Sequence, residues 1–337
     1  MKKIVFYSLF FILVFSLTCY SVLSGVDLSR MFFYIREADD RYIILSILCV
    51  LIYILGESVV IKYLLGTRMI QVPFGHCCLY SFIGFFYSCI TPSASGGQPM
   101  QVVAMRKDRI PVAVSTVILA IVTITYKLVL VVIGLAVMVI RPSGVIGYLD
   151  QVQWLIYLGL ILNVVCILAF IAMIFDQNLV RKMMEFCMKL LTRIHLIRDP
   201  QKLYQRLERV LEQYQGTAEY FSDHKEAVIH AFLITFIQRL ALFSVTWLCY
   251  RSLHLEGTSA FTVITLQAMV AVAVDMMPLP GGMGISETLF MVIFLPVFGN
   301  QQLHAGMILS RGISYYTQLL ISGFMTVAAS LILKRKE

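Results

Sequence analysis

The chain of 337 residues is 59% hydrophobic and only 14% charged, whereas soluble domains carry roughly 25% charged residues. That excludes an ordinary water-soluble globule and predicts an all-α, polytopic membrane protein. The net charge of +8 does not read as nucleic-acid binding, because the basic residues flank apolar runs, as the positive-inside rule and contact with anionic headgroups require.

A span needs about 20 apolar residues. Lys2-Lys3 precede Ile4–Leu23 without a small-x-small cleavage site, so this run reads as an uncleaved first span. Tyr42–Leu65, Val112–Ile140, Trp154–Phe175, Ala227–Tyr250 and Leu303–Leu333 supply five more. Two further apolar stretches, residues 74–105 and 259–298, are interrupted. The first breaks at Thr91-Pro92-Ser93-Ala94-Ser95-Gly96-Gly97-Gln98-Pro99, the second at Pro278-Leu279-Pro280-Gly281-Gly282-Met283-Gly284. Proline lacks a donor and glycine costs backbone entropy, so neither run continues a helix. In hydrocarbon a broken backbone survives only where protein or a wet cavity satisfies it. After the first break only Gln98–Met105 remains apolar before Arg106-Lys107-Asp108-Arg109. Eight helical residues reach about 12 Å, too short to cross. Both stretches therefore read as re-entrant hairpins.

Charge supports that reading. With both hairpins entering and leaving on one side and the N-terminus inside, 19 of the 27 Lys and Arg fall in the cytoplasm, five outside and three within spans. The first hairpin then enters from the cytoplasm and the second from outside, as in an inverted repeat. Spacing agrees: Gly97 precedes Lys127 by 30 residues and Gly282 precedes Arg311 by 29. The whole chain, residues 1–337, reads as one integral membrane domain. Its first half covers residues 42–140 and its second half residues 227–333. Between them, residues 176–225 form a polar linker read either as two amphipathic helices on the inner leaflet, with Pro200 opening the second, or as a solvated connection. Both termini are expected in the cytoplasm of a cell-membrane protein.

The chemistry lies in charge at membrane depth. Lys127, Arg239 and Arg311 face Glu57, Asp275 and Glu287 in the inventory, and such charges cost roughly 2.5–3.5 kcal/mol each unless paired or set in a polar cavity. They read either as structural ion pairs or as a cavity for an anionic headgroup. Arg311 heads a polar stripe with Ser314, Tyr315, Gln318 and Ser322, and its guanidinium suits a phosphodiester. The turns would add backbone N–H groups at Gly281, Gly282 and Gly284 before Ser286, with Ser93, Ser95, Gly96, Gly97 and Gln98 as counterpart. Glu287 would cap its helix or pair with a cation, and any of the three acids could carry a proton for coupling. The eight cysteines and six histidines show no metal-type spacing. No cofactor, metal or nucleic-acid partner is expected, and no hydrolase or nucleotide-binding motif appears.

The Thr91-Pro92 to Gln98-Pro99 segment, the Pro-Gly-Gly-x-Gly-x-x-Glu run from Pro280 to Glu287, and Arg311 together resemble the membrane region of the lysylphosphatidylglycerol synthase family. The resemblance runs from about Tyr42 to Leu333. It implies a flippase-like protein that moves an anionic or aminoacylated phospholipid between leaflets. Full synthases of that family add a soluble aminoacyltransferase domain, which is not expected after the last span here. The first expectation is therefore a lipid translocase with no enzyme activity of its own. The alternatives are a membrane subunit working with a separately encoded synthase or transferase, and a small-molecule or ion transporter.

Overall fold

The computed structural model describes residues 28–175, 200–279 and 281–332, so the expected first span and the first linker helix lie outside the described residues. The described residues form helices and no strand, and five helices are long and apolar enough to cross a membrane. A short helix α1 (Leu28–Arg36) leads into α2 (Asp40–Thr67), whose start is fixed by the Asp39 carboxylate accepting from Arg41 N–H. Then follow α3 (Phe74–Ile90), α4 (Gly97–Lys107) and α5 (Val112–Ile140), a single turn at Ser143–Ile146, and α6 (Gln153–Phe175). The second part comprises α7 (Pro200–Asp223), α8 (Lys225–Ser252), α9 (Ala260–Val274) and α10 (Ile285–Arg311). A π-helical segment (Gly312–Thr317) joins α10 to α11 (Gln318–Ile332).

Both interrupted stretches fold as helix–turn–helix units, α3 against α4 and α9 against α10. The arm α4 has 11 residues, about 16 Å of helix, less than the hydrocarbon thickness of ~30 Å. The second unit ends where Gly299, at φ 68°, breaks α10 three residues after Pro296. Everything from there to Ile332 acts as the closing helix of the second half, with a start slightly earlier than Leu303.

Packing is crosswise. Helices α2 and α8 make the most extensive pair; α3 lies along α11, whereas α9 lies along α5 and α6. Each broken unit therefore leans on the closing helix of the other half. Gly159 on α6 permits the last contact, because a Cβ there would sit 2.9 Å from the Ala273 Cα. Gly159→Ala is expected to lower stability by about 1–3 kcal/mol through overpacking. Gly66→Ala, in open space near the end of α2, should melt at or above the parent temperature in the same thermal-unfolding measurement.

Helix α7 buries part of its apolar side against the bundle. Leu211, Tyr214, Ala218 and Phe221 lie in the cluster that includes Ile118 and Ile121 of α5. Tyr214 donates to the Met173 carbonyl at 3.0 Å and Tyr220 to that of Thr67 at 2.7 Å. An amphipathic face needs an apolar partner, and for these residues the ends of α2, α5 and α6 supply one.

Candidate functional site

The two turns meet. The Ser93 hydroxyl donates to the Met277 carbonyl at 3.2 Å, and around this contact lies a cavity of about 420 Å³. The expected residues Glu57, Ser93, Ser95, Gln98, Lys127, Arg239, Asp275, Gly281, Gly282, Ser286, Arg311 and Gln318 all line it. Gly96, Gly97, Gly284 and Glu287 do not.

The glycines depart from the N–H donor role. The N–H of Gly96 bonds the Thr91 hydroxyl at 2.9 Å, that of Gly97 the Ala94 carbonyl, that of Gly282 the Leu279 carbonyl and that of Gly284 the Glu287 carboxylate at 2.7 Å. These donors are spent inside their own turns. In the second turn Gly281, Gly282 and Gly284 all have positive φ, which glycine adopts without steric cost. In the first turn the left-handed positions are instead Ser93 and Ala94. There Gly97 serves close approach, its Cα facing Ser88 and the Gly84 carbonyl.

The ionic groups sort into three arrangements. Lys127 Nζ donates to Asp275 Oδ2 at 2.7 Å, with Asn163 Oδ1 at 3.4 Å and Met276 Sδ at 2.9 Å nearby. Tyr126 O–H donates to the other Asp275 oxygen. Arg311 Nε donates to Glu287 Oε1 at 2.8 Å and its Nη2 to the Gly281 carbonyl at 3.0 Å. Glu287 simultaneously caps the start of α10 through Gly284, so one carboxylate ties the turn, the arm and the closing helix together. Both pairs thus hold the second turn, one from each half. The third cation, Arg239, is only 3% exposed. Its guanidinium lies 3.4 Å from the Tyr126 ring centre and 5.4 Å from that of Tyr53. Its Nε and Nη2 have no hydrogen-bond partner.

The first turn is held more lightly. Tyr315 O–H donates to the Cys89 carbonyl at 2.9 Å from the π-helical segment, and Gln98 Nε2 bonds the Thr123 hydroxyl. Gln101 Nε2 donates to Glu57 Oε1 at 2.6 Å. The stripe expected after Arg311 survives in part: Ser314, Tyr315 and Gln318 line the cavity, while Ser322 does not, and its buried hydroxyl has no hydrogen-bond partner. Tyr53, Gln101 and Tyr126 were not singled out from the sequence. A tyrosine beside a lysine in the middle of an apolar span was the signal for Tyr126, and Gln101 lies one helical turn beyond Gln98. Among the described residues no cluster of His, Cys, Asp and Glu could hold a metal ion.

A multi-pass, all-helical membrane protein with a polar cavity between two broken helical units is the class this geometry defines. The model of the family described as the lysylphosphatidylglycerol synthase TM region matches residues 4–322, and the chain belongs to that family. Membership makes it a membrane protein of lipid metabolism or transport. No curated protein matches the chain.

Proposed function

We propose that the protein is a lipid translocase of the cell membrane, passing an anionic or aminoacylated phospholipid headgroup through the cavity while the acyl chains stay in the bilayer. The observation that carries this reading is the meeting of the two turns, Ser93 on Met277, over a charged cavity. A volume of about 420 Å³ falls within the usual range for small-ligand sites, ~300–1,000 Å³, and suits a headgroup rather than a whole lipid.

The mechanism follows from which contacts can open. The crosswise packing supports an inverted repeat whose turns enter from opposite leaflets, and the distribution of Lys and Arg supports termini in the cytoplasm. Rocking of one half on the other along the α2–α8 pair would part the turns at Ser93–Met277 and expose the cavity to each leaflet in turn. The ion pairs at Asp275 and Glu287 keep the second turn intact as it moves.

The test is exchange of a fluorescent phosphatidylglycerol in reconstituted vesicles, with a membrane-impermeant quencher added outside. Vesicles holding the protein should lose the inner-leaflet signal, and empty vesicles should keep about half. Ser95→Trp places an indole in the cavity at an exposed turn position and should slow exchange by about tenfold or more, since it occupies space the headgroup needs. Equal exchange with and without protein, or by Ser95→Trp and its parent, would remove the proposal.

A further inference from the structure

Three cations line the cavity, yet their surroundings differ in kind. Lys127 and Arg311 each have a carboxylate within 2.8 Å. Arg239 is just as deeply placed and forms no ion pair, Glu57 and Asp275 on the same cavity wall acting on it only from beyond contact distance; Nε and Nη2 are buried without a hydrogen-bond partner. A buried guanidinium is tolerated only when something takes up its five donors and its charge. The Tyr126 and Tyr53 rings attract the charge through their faces. They accept no in-plane N–H bond, so the donors at the guanidinium edge stay unpaired, covered by protein until a shift of the side chain turns them to the cavity. The Tyr126 hydroxyl is turned away onto Asp275.

We infer that Arg239 is the anion-binding cation of the cavity, taking a phosphate oxygen pair on its Nε–Nη2 edge, and that Lys127 and Arg311 are locks on the second turn with no phosphate to hold. The ligand chemistry is a phosphate monoanion, either the phosphodiester of a lipid or free phosphate. The Nε–Nη2 edge presents two parallel N–H groups at the spacing of two phosphate oxygens, the bidentate geometry a lysine cannot reproduce. The two tyrosine faces fix the guanidinium plane in advance, so little is lost in ordering it. Lys127 and Arg311 could reach an anion only by leaving Asp275 or Glu287 buried and unpaired. The inference rests on the translocase reading for its lipid, and on the geometry alone for its charge.

Two measurements on the detergent-purified full chain test it. Calorimetric titration with dihexanoyl phosphatidylglycerol, and separately with inorganic phosphate, is compared for the parent, Arg239→Met, Arg239→Lys and the paired change Arg311→Met/Glu287→Gln. Arg239→Met should weaken binding by about tenfold or more, since hydrogen bonds to a charged group are among the strong ones. Arg239→Lys should fall between that variant and the parent. The paired change, which removes the lock without adding net charge, should stay within about threefold of the parent, since it leaves the Arg239 edge untouched. Binding of the lipid, with or without free phosphate, supports both the site and its lipid source. Binding of phosphate alone, still dependent on Arg239, supports the site and removes the translocase reading. No binding of either probe by the parent, or loss in the paired change but not in Arg239→Met, overturns the assignment. Thermal unfolding supplies the second readout. Removing two buried donors that have no hydrogen-bond partner should raise the melting temperature of Arg239→Met by a few degrees, the trade of stability for function expected at a site. Melting below the parent would mean that Arg239 holds the fold, and would overturn the inference.

Discussion

Arg311→Met is expected to melt on the order of 10 °C below the parent, a loss of about 3–5 kcal/mol, the range for stripping one partner from a buried ion pair. Three contacts go at once. The Glu287 carboxylate, 5% exposed on its side chain, is left charged in an apolar setting, the Gly281 carbonyl loses its donor, and the turn loses its tie to the closing helix. The second site change decides whether the pair is responsible. With Glu287→Gln added, no charge remains to desolvate, and the amide oxygen can still accept from the Gly284 N–H. The double variant should therefore recover most of the loss, whereas independent effects would add. Thermal unfolding followed by tryptophan fluorescence reads both, and a double variant melting no higher than Arg311→Met would show that the unpaired Glu287 charge is not the source of the loss.

Much of this fold was legible because membrane physics writes it into one dimension. The spans expected at Tyr42–Leu65, Trp154–Phe175 and Ala227–Tyr250 appear as Asp40–Thr67, Gln153–Phe175 and Lys225–Ser252. The ends extend because polar residues such as Asp39 cap a helix beyond its apolar stretch. Both breaks fall where proline and glycine cluster. The pairing of charges was not legible, since Lys127 and Asp275 are 148 residues apart in sequence and nothing local distinguishes a lock from an open cation. Arg239 carried no motif; its distinction lies wholly in what does not surround it. The two turns looked alike as strings, yet glycine supplies positive φ in the second and close approach in the first. Helix α7 announced an apolar face, but a single sequence does not say whether protein or lipid covers it.

The last expectation concerns the contact on which the transport reading turns. In a background with the eight cysteines replaced, Ser93→Cys and Met277→Cys place one thiol on each turn, at the positions where the Ser93 hydroxyl meets the Met277 carbonyl at 3.2 Å. A short bis-methanethiosulfonate reagent should link them in membranes. If the turns must part for the headgroup to change leaflets, the linked protein is confined to one side of its cycle. Its lipid exchange should then drop by about a hundredfold, the scale expected when a gating motion is blocked while the site stays intact. Reductant should restore exchange, which separates closure from damage, and each single-cysteine variant treated alike should exchange at the parent rate. Rapid exchange by the linked form would mean that the lipid path runs elsewhere on the protein surface, with the cavity left as an interior packed around buried charge.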